Sequence, residues 1–176
     1  MTGQHLHVVV MGVAGTGKST VAQALAGELD LVLTEGDDHH PKANIEKMSS
    51  GVPLDDDDRA PWLAKLAAWT DERHAEDRST VLTCSALRRA YRDVLREGAP
   101  ESTLFVHLAG SKDVLSERME ERDHFMPASL LDSQFDTLEP LEPDEDGEVV
   151  DVDRALDVVV RDAVALVRRR AETLRP

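Results

Sequence analysis

Short apolar runs alternate along this chain with longer stretches whose apolar residues recur every three or four positions. The first run, HLHVVVMG at 5–12, ends in glycine and reads as a buried strand. KSTVAQALAGELD follows, with Val21, Ala24, Leu25 and Leu29 at helical spacing. LVLTE gives a second strand, and Pro41 then opens a helical stretch through Met48 that SSG closes. In DRAPWLAKLAAWTDERHAED, Trp62, Leu66 and Trp69 share a helical stripe, with Asp58 as N-cap and Pro61 in the first turn. STVLTCS is a third strand, ALRRAYRDVLREG a helix stopped by Gly98, and STLFVHLAG a fourth strand. Residues 111–137 read as helical with a break near DHFMP. GEVVDVD is the fifth strand, and 154–172 form a last amphipathic helix along Leu156, Val160, Ala163 and Val167.

Strands alternating with helices imply an α/β fold, a parallel sheet covered on both faces with right-handed crossovers. The acidic, proline-containing LEPLEPDEDGE reads as a surface loop and not as a linker between domains. At 176 residues the chain is most simply one domain, 1–176. A net charge of −15 argues against a nucleic-acid partner, and no apolar run approaches the ~20 residues that span a bilayer. The single Cys84 leaves no disulfide framework and no cysteine zinc site, and no leader-like segment precedes the first strand. The expectation is a cytoplasmic protein without a membrane partner.

GVAGTGKS, Gly12 to Ser19, fits G-x-x-x-x-G-K-[ST] with a strand before it and a helix after it. Such a loop turns backbone N–H groups inward around phosphate, and the helix N-terminus adds partial positive charge. Gly12, Val13, Ala14, Gly15, Thr16, Gly17, Lys18, Ser19 and Thr20 are therefore the candidate ATP contacts, with Lys18 reaching the β- and γ-phosphates and Ser19 the Mg²⁺. VLTCS carries no acid where motor ATPases keep a metal-orienting Asp, and the chain has no NKxD for guanine. A motor or a switch is thereby disfavoured; small-molecule kinases commonly place the metal carboxylate after the second strand instead.

Parallel strands all end at one sheet edge, so Glu35 and Asp37 after strand two converge on the phosphate loop. Carboxylates beside a polyanion make sense when Mg²⁺ lies between them, held through Ser19, Glu35 and Asp37 with retained waters. A free carboxylate can also take the proton of an attacking alcohol, and Asp37 is the candidate base, Asp38 a helix cap. His40 reads as a hydrogen-bonding group of the acceptor pocket, and His39 with His40 as no zinc site. Lys47, Arg59 and Arg88 lie after different elements near the same edge. Arg118 and Arg122, four apart, share a helical face suited to a lid over ATP, with Arg122 catalytic and Arg118 on the nucleotide. Several cations beside the acceptor site suggest an anionic acceptor. Of DDDDR, an N-cap accounts for one acid and leaves three unexplained.

These residues resemble a known family. MGVAGTGKST, EGDDHHPKANIEKMSSGVPLDDDDRAPWL, CSALRRAYRDVLR and HFMPASLLDSQFDTLE, in order over residues 8–153, are similar to gluconate kinases of the compact P-loop type. The resemblance implies a fold like nucleoside monophosphate and shikimate kinases, a three-layer P-loop architecture with five parallel strands. It implies a small lid near 118–130, an acceptor-binding helical segment near 38–76, and a homodimer. The implied reaction is ATP- and Mg²⁺-dependent phosphorylation of D-gluconate to 6-phosphogluconate. Lys47, Arg59, Arg88 and His124 would then be candidates for the substrate carboxylate. Two departures stand out: Glu35 replaces the family's usual Asp, and ERDHFM lacks the glycine more often found before the His and is one residue shorter. A kinase for another hydroxy acid such as shikimate, and an ATP-binding regulator without turnover, remain the other readings.

Overall fold

The computed structural model describes residues 4–121 and 128–174. Five parallel strands form one sheet in the order β2-β3-β1-β4-β5: β1 His7–Met11, β2 Val32–Glu35, β3 Thr80–Thr83, β4 Thr103–Ala109 and β5 Gly147–Asp151. The central strand β1 is buried along its whole length because β3 and β4 flank it and helices cover both faces. Val8, Val10, Val81, Phe105, Val106 and Leu108 are essentially inaccessible to water.

The flanking helices are α1 Lys18–Leu29, α2 Lys42–Ser49, α3 Asp56–Ala75, α4 Arg89–Arg96, α5 Lys112–Glu121, α6 Ala128–Thr137 and α7 Leu156–Thr173, with a 3₁₀ turn over Gly36–His39. Helix α1 packs with α7, and α3 with α4. The buried stripe of α7 is Val159, Ala163, Leu166 and Val167. Leu156 stands exposed, so the expected line along Leu156 and Val160 is turned slightly about the helix axis.

Two further expectations are corrected at the start of α3. The N-cap is Asp55 and not Asp58: the Asp55 side chain accepts from Asp58 N at 2.8 Å, and Asp58 Oδ2 accepts from Asp55 N at 3.0 Å. This reciprocal capping box starts the helix three residues earlier, which leaves Pro61 inside it rather than in the first turn. The carbonyl of Asp57, deprived of a proline N–H, lies in the exposed first turn, where water can serve it. Helix α2 has no side-chain cap, so Asp38 does not cap it.

The acidic segment after α6 lies at the surface at most positions and is anchored inward at Glu145. Arg92 on α4 is 0% exposed and holds Glu145 through Nε at 2.6 Å and Nη2 at 3.0 Å. Its Nη1 donates to the carbonyls of Ala86 and Glu139. A buried charge persists only when paired and hydrogen-bonded, and this one is both. Among the described residues no helix is long and apolar enough to cross a membrane.

Candidate active site

The site is built at the carboxyl edge of the sheet. After β1 the chain turns at Gly12, where a φ of 144° and the 2.5 Å that would separate any Cβ from Leu108 O admit only glycine. Gly17 at φ 90° then delivers the backbone into α1. Thr16 is buried and bonds Val13 O at 3.1 Å, which closes the loop on itself. Lys18 Nζ donates to Gly12 O at 2.9 Å and Val13 O at 3.0 Å. Burial pulls the Lys18 ammonium below its ordinary value, and the Asp37 charge opposes this.

Ser19 opens onto the same space. Its hydroxyl donates to Glu35 Oε2 at 3.1 Å, and the same oxygen accepts from Thr83 at 2.5 Å. Glu35 ends β2 and Thr83 ends β3, paired in register, so sheet geometry alone brings the two together. A hydroxyl and a carboxylate at this distance are hard oxygen donors of the kind Mg²⁺ takes alongside phosphate and water. Among the described residues no cluster of three or more His, Cys, Asp or Glu could hold a metal by itself.

Asp37 sits in the 3₁₀ turn beyond β2 and projects into a cavity of about 410 Å³ that Lys18, Ser19, Glu35, His40 and Arg59 also line. Its side chain is 89% exposed because the cavity is open, yet the walls stand close enough to act on it. His40 Nε2 lies 3.6 Å from Asp37 Oδ1, and this contact, against the effect of desolvation and helped by Lys18, holds the carboxyl below its usual range. The His40 ring is fixed by two contacts, one of them itself anchored. It stacks on Trp62 at 4.0 Å, Trp62 Nε1 donates to Gly36 O at 2.8 Å, and Asn44 Nδ2 lies 3.2 Å from His40 Nδ1. An amide NH₂ can only donate, so Nδ1 accepts and the ring proton sits on Nε2, facing Asp37.

The other expected residues divide. Ala14, Gly15, Gly17 and Thr20 line the cavity with Lys18. Val13 is buried beneath it. Lys47 Nζ is committed to Asp58 Oδ2 at 2.7 Å and does not line the cavity. Arg88, half-exposed, lies 3.9 Å from Asp56 Oδ2. Arg118 donates to the Arg154 carbonyl at 3.0 Å, beside the start of α7. Arg122 and His124, with the centre of the expected lid, lie outside the described residues. His39 Nε2 pairs with Thr34 Oγ1 at 2.8 Å.

Four participants were given no site role by the sequence reading. Gln134 on α6 accepts from Ala14 N at 2.7 Å, tying that helix to the phosphate loop. Thr83 holds Glu35, Trp62 holds His40, and Tyr91 meets Arg59. Each is an ordinary residue type on a regular element, and only its partner, far off in sequence, gives it a role. Cys84 also lines the cavity, but burial pushes its thiol up to about 12, which makes it a poor nucleophile.

Comparison with known proteins agrees with this geometry. The family model described as an AAA domain matches residues 8–141. A gluconokinase from Gluconobacter oxydans (strain 621H) is 49% identical over 158 residues, covering 89% of this chain and 88% of its own. The crystal structure of a gluconokinase from Sinorhizobium meliloti 1021 superposes with a TM-score of 0.87 at 49% identity, over 97% of this chain and 96% of that one. An unliganded sugar kinase structure from Janibacter sp. HTCC2649 gives a TM-score of 0.90 at 48% identity, over 98% and 99% of the two chains. A P-loop, a carboxylate pair at the end of β2 and relatives this similar over nearly their full length lead to one conclusion: the chain belongs to the gluconokinase family.

Proposed function

We propose that this protein transfers the γ-phosphoryl group of ATP to D-gluconate, giving 6-phosphogluconate and ADP. The observation that carries the reading is the meeting of Lys18 and Asp37 in one cavity with Arg59 and His40 on its acceptor side. Near-half identity to the gluconokinases of Gluconobacter oxydans and Sinorhizobium meliloti supports gluconate over shikimate as the acceptor.

The phosphate loop binds the nucleotide through its inward N–H groups and the start of α1. Lys18 leaves the Gly12 and Val13 carbonyls and turns its ammonium to the β- and γ-phosphates. Ser19 and Glu35 would hold Mg²⁺, with Asp37 adjacent, and the ion supplies charge neutralisation on the phosphates. The terminal hydroxyl of gluconate attacks the γ-phosphorus while the bond to the β-phosphate oxygen breaks. Its proton passes to Asp37, whose lowered pKa keeps it ionised and able to accept at neutral pH. His40, proton on Nε2, steadies the Asp37 carboxylate. Arg59 binds the acceptor carboxylate; His124 is a further contact, Arg88 and Lys47 join only on leaving Asp56 and Asp58, and Arg118 and Arg122 serve the nucleotide and the transferring charge. We place the enzyme in the cytoplasm, where ATP is supplied, and as a homodimer on the strength of the family resemblance.

Purified protein with MgATP should form 6-phosphogluconate from gluconate, read by coupling to 6-phosphogluconate dehydrogenase. Turnover on shikimate without gluconate would replace the substrate. No turnover on any hydroxy acid would leave an ATP-binding regulator.

A further inference from the structure

We infer that Tyr91 and Asp56 are positioning residues that aim Arg59 at the carboxylate of the acceptor, which gives part of DDDDR a role. The inference rests on the gluconate reading of the cavity. Arg59 lines the cavity with a side chain only 15% exposed. Its Nη1 donates to the Tyr91 hydroxyl at 3.0 Å, and that hydroxyl donates to Asp56 Oδ1. Asp56 Oδ1 also lies 3.9 Å from Arg59 Nη1, and its Oδ2 lies 3.9 Å from Arg88 Nη1. Two elements thus meet at one phenol oxygen: the first turn of α3, which carries both Asp56 and Arg59, and the start of α4.

The direction of the bonds is forced. An ionised carboxylate only accepts, so Tyr91 gives Asp56 its single proton and keeps its lone pairs for the guanidinium, which only donates. The ring is 7% exposed and fixed in the core on α4, so the hydroxyl is a stationary point. Burial and the Asp56 charge raise the Tyr91 pKa, so the phenol stays a donor at every pH of interest. An arginine side chain is among the costliest to order. Holding one N–H on a fixed oxygen leaves the rest of the fork preoriented for a carboxylate. Asp56 itself, 67% exposed and at 3.9 Å, balances two arginines without capturing either.

Tyr91→Phe keeps the ring and removes the oxygen. Its KM for gluconate should rise roughly tenfold, equal to about 1.4 kcal/mol, with KM for ATP and the melting temperature unchanged. Combined with Arg59→Lys, it should add little to the single Arg59→Lys defect. Asp56→Ala, at an exposed first-turn position, supplies the second arm. Positioning predicts a several-fold rise in KM for gluconate, whereas an acid that merely repels an anion predicts a fall. If wild-type protein turns over gluconate while Tyr91→Phe matches it, or both KM values rise together, or Asp56→Ala lowers KM, this inference fails and the function stands. If calorimetry and turnover show no gluconate binding by the wild type, both fail.

Discussion

Asp37 and Lys18 carry opposite charges into one cavity, and each shifts the other's protonation. The carboxylate is held down by His40 first and by Lys18 after it, so it is ionised across the physiological range. A base whose pKa lies low gains little driving force from proton affinity; its value is position, next to the atom that loses the proton. Asp37→Asn preserves shape and removes the base. ATP binding, measured by titration of a fluorescent analogue, should survive, while kcat falls by at least the ~10²-fold typical of a lost general base. Unchanged kcat would take Asp37 out of the chemistry. The residues of this pair were legible in the sequence because their spacing is itself the mechanism: a glycine loop fixes Lys18, and the end of a strand fixes Asp37. Tyr91, Thr83 and Gln134 were not legible, because each acts through one partner at least 48 positions away or, for Tyr91, 32 and 35.

Helix α3 shows what decides an element's boundary when sequence leaves several choices. Four successive aspartates, Asp55 to Asp58, all suit an N-cap, and composition does not rank them. The choice falls on Asp55 because only that start puts an acid at the third helical position, where Asp58 closes the box and also takes Lys47. The same start sets Asp56 toward Tyr91 and leaves Asp57 exposed. The four acids therefore have unequal duties. Asp55→Ala should cost about 1 kcal/mol in urea unfolding, the usual worth of an N-cap. Asp57→Ala should stay within about 0.5 kcal/mol, as surface changes do. Equal effects at the two positions would deny the box.

The alternation of strands and helices made the parallel sheet readable from the chain, but not the order β2-β3-β1-β4-β5, which depends on which crossover passes which face. Nor did the sequence separate strand histidines that face solvent from those that face the core. His7 on β1 and His107 on β4 alternate with valines and leucines as an exposed edge residue would, yet they are 1% and 5% exposed. His7 shares its ring nitrogens with Thr80 and His74. Burial, followed by the charges of His74 and His5, lowers His7 from 6.5 to about 4; burial, then Arg92 and Lys18, does the same to His107. Both values in the folded protein lie below those of the unfolded chain, so on acidification the unfolded chain takes up protons first. The stability each neutral ring confers is complete above 6.5 and is lost as pH falls through about 4. A shift of this size corresponds to on the order of 3 kcal/mol for each ring. Urea unfolding from about pH 8 to pH 4 should show a plateau, then a decline that begins near 6.5, above the range in which carboxylates titrate. His107→Gln removes one titrating group, so its decline should be about half as steep over the same interval. A wild-type curve that stays level until carboxylates begin to protonate would mean that these two rings enter the folded state already able to carry charge.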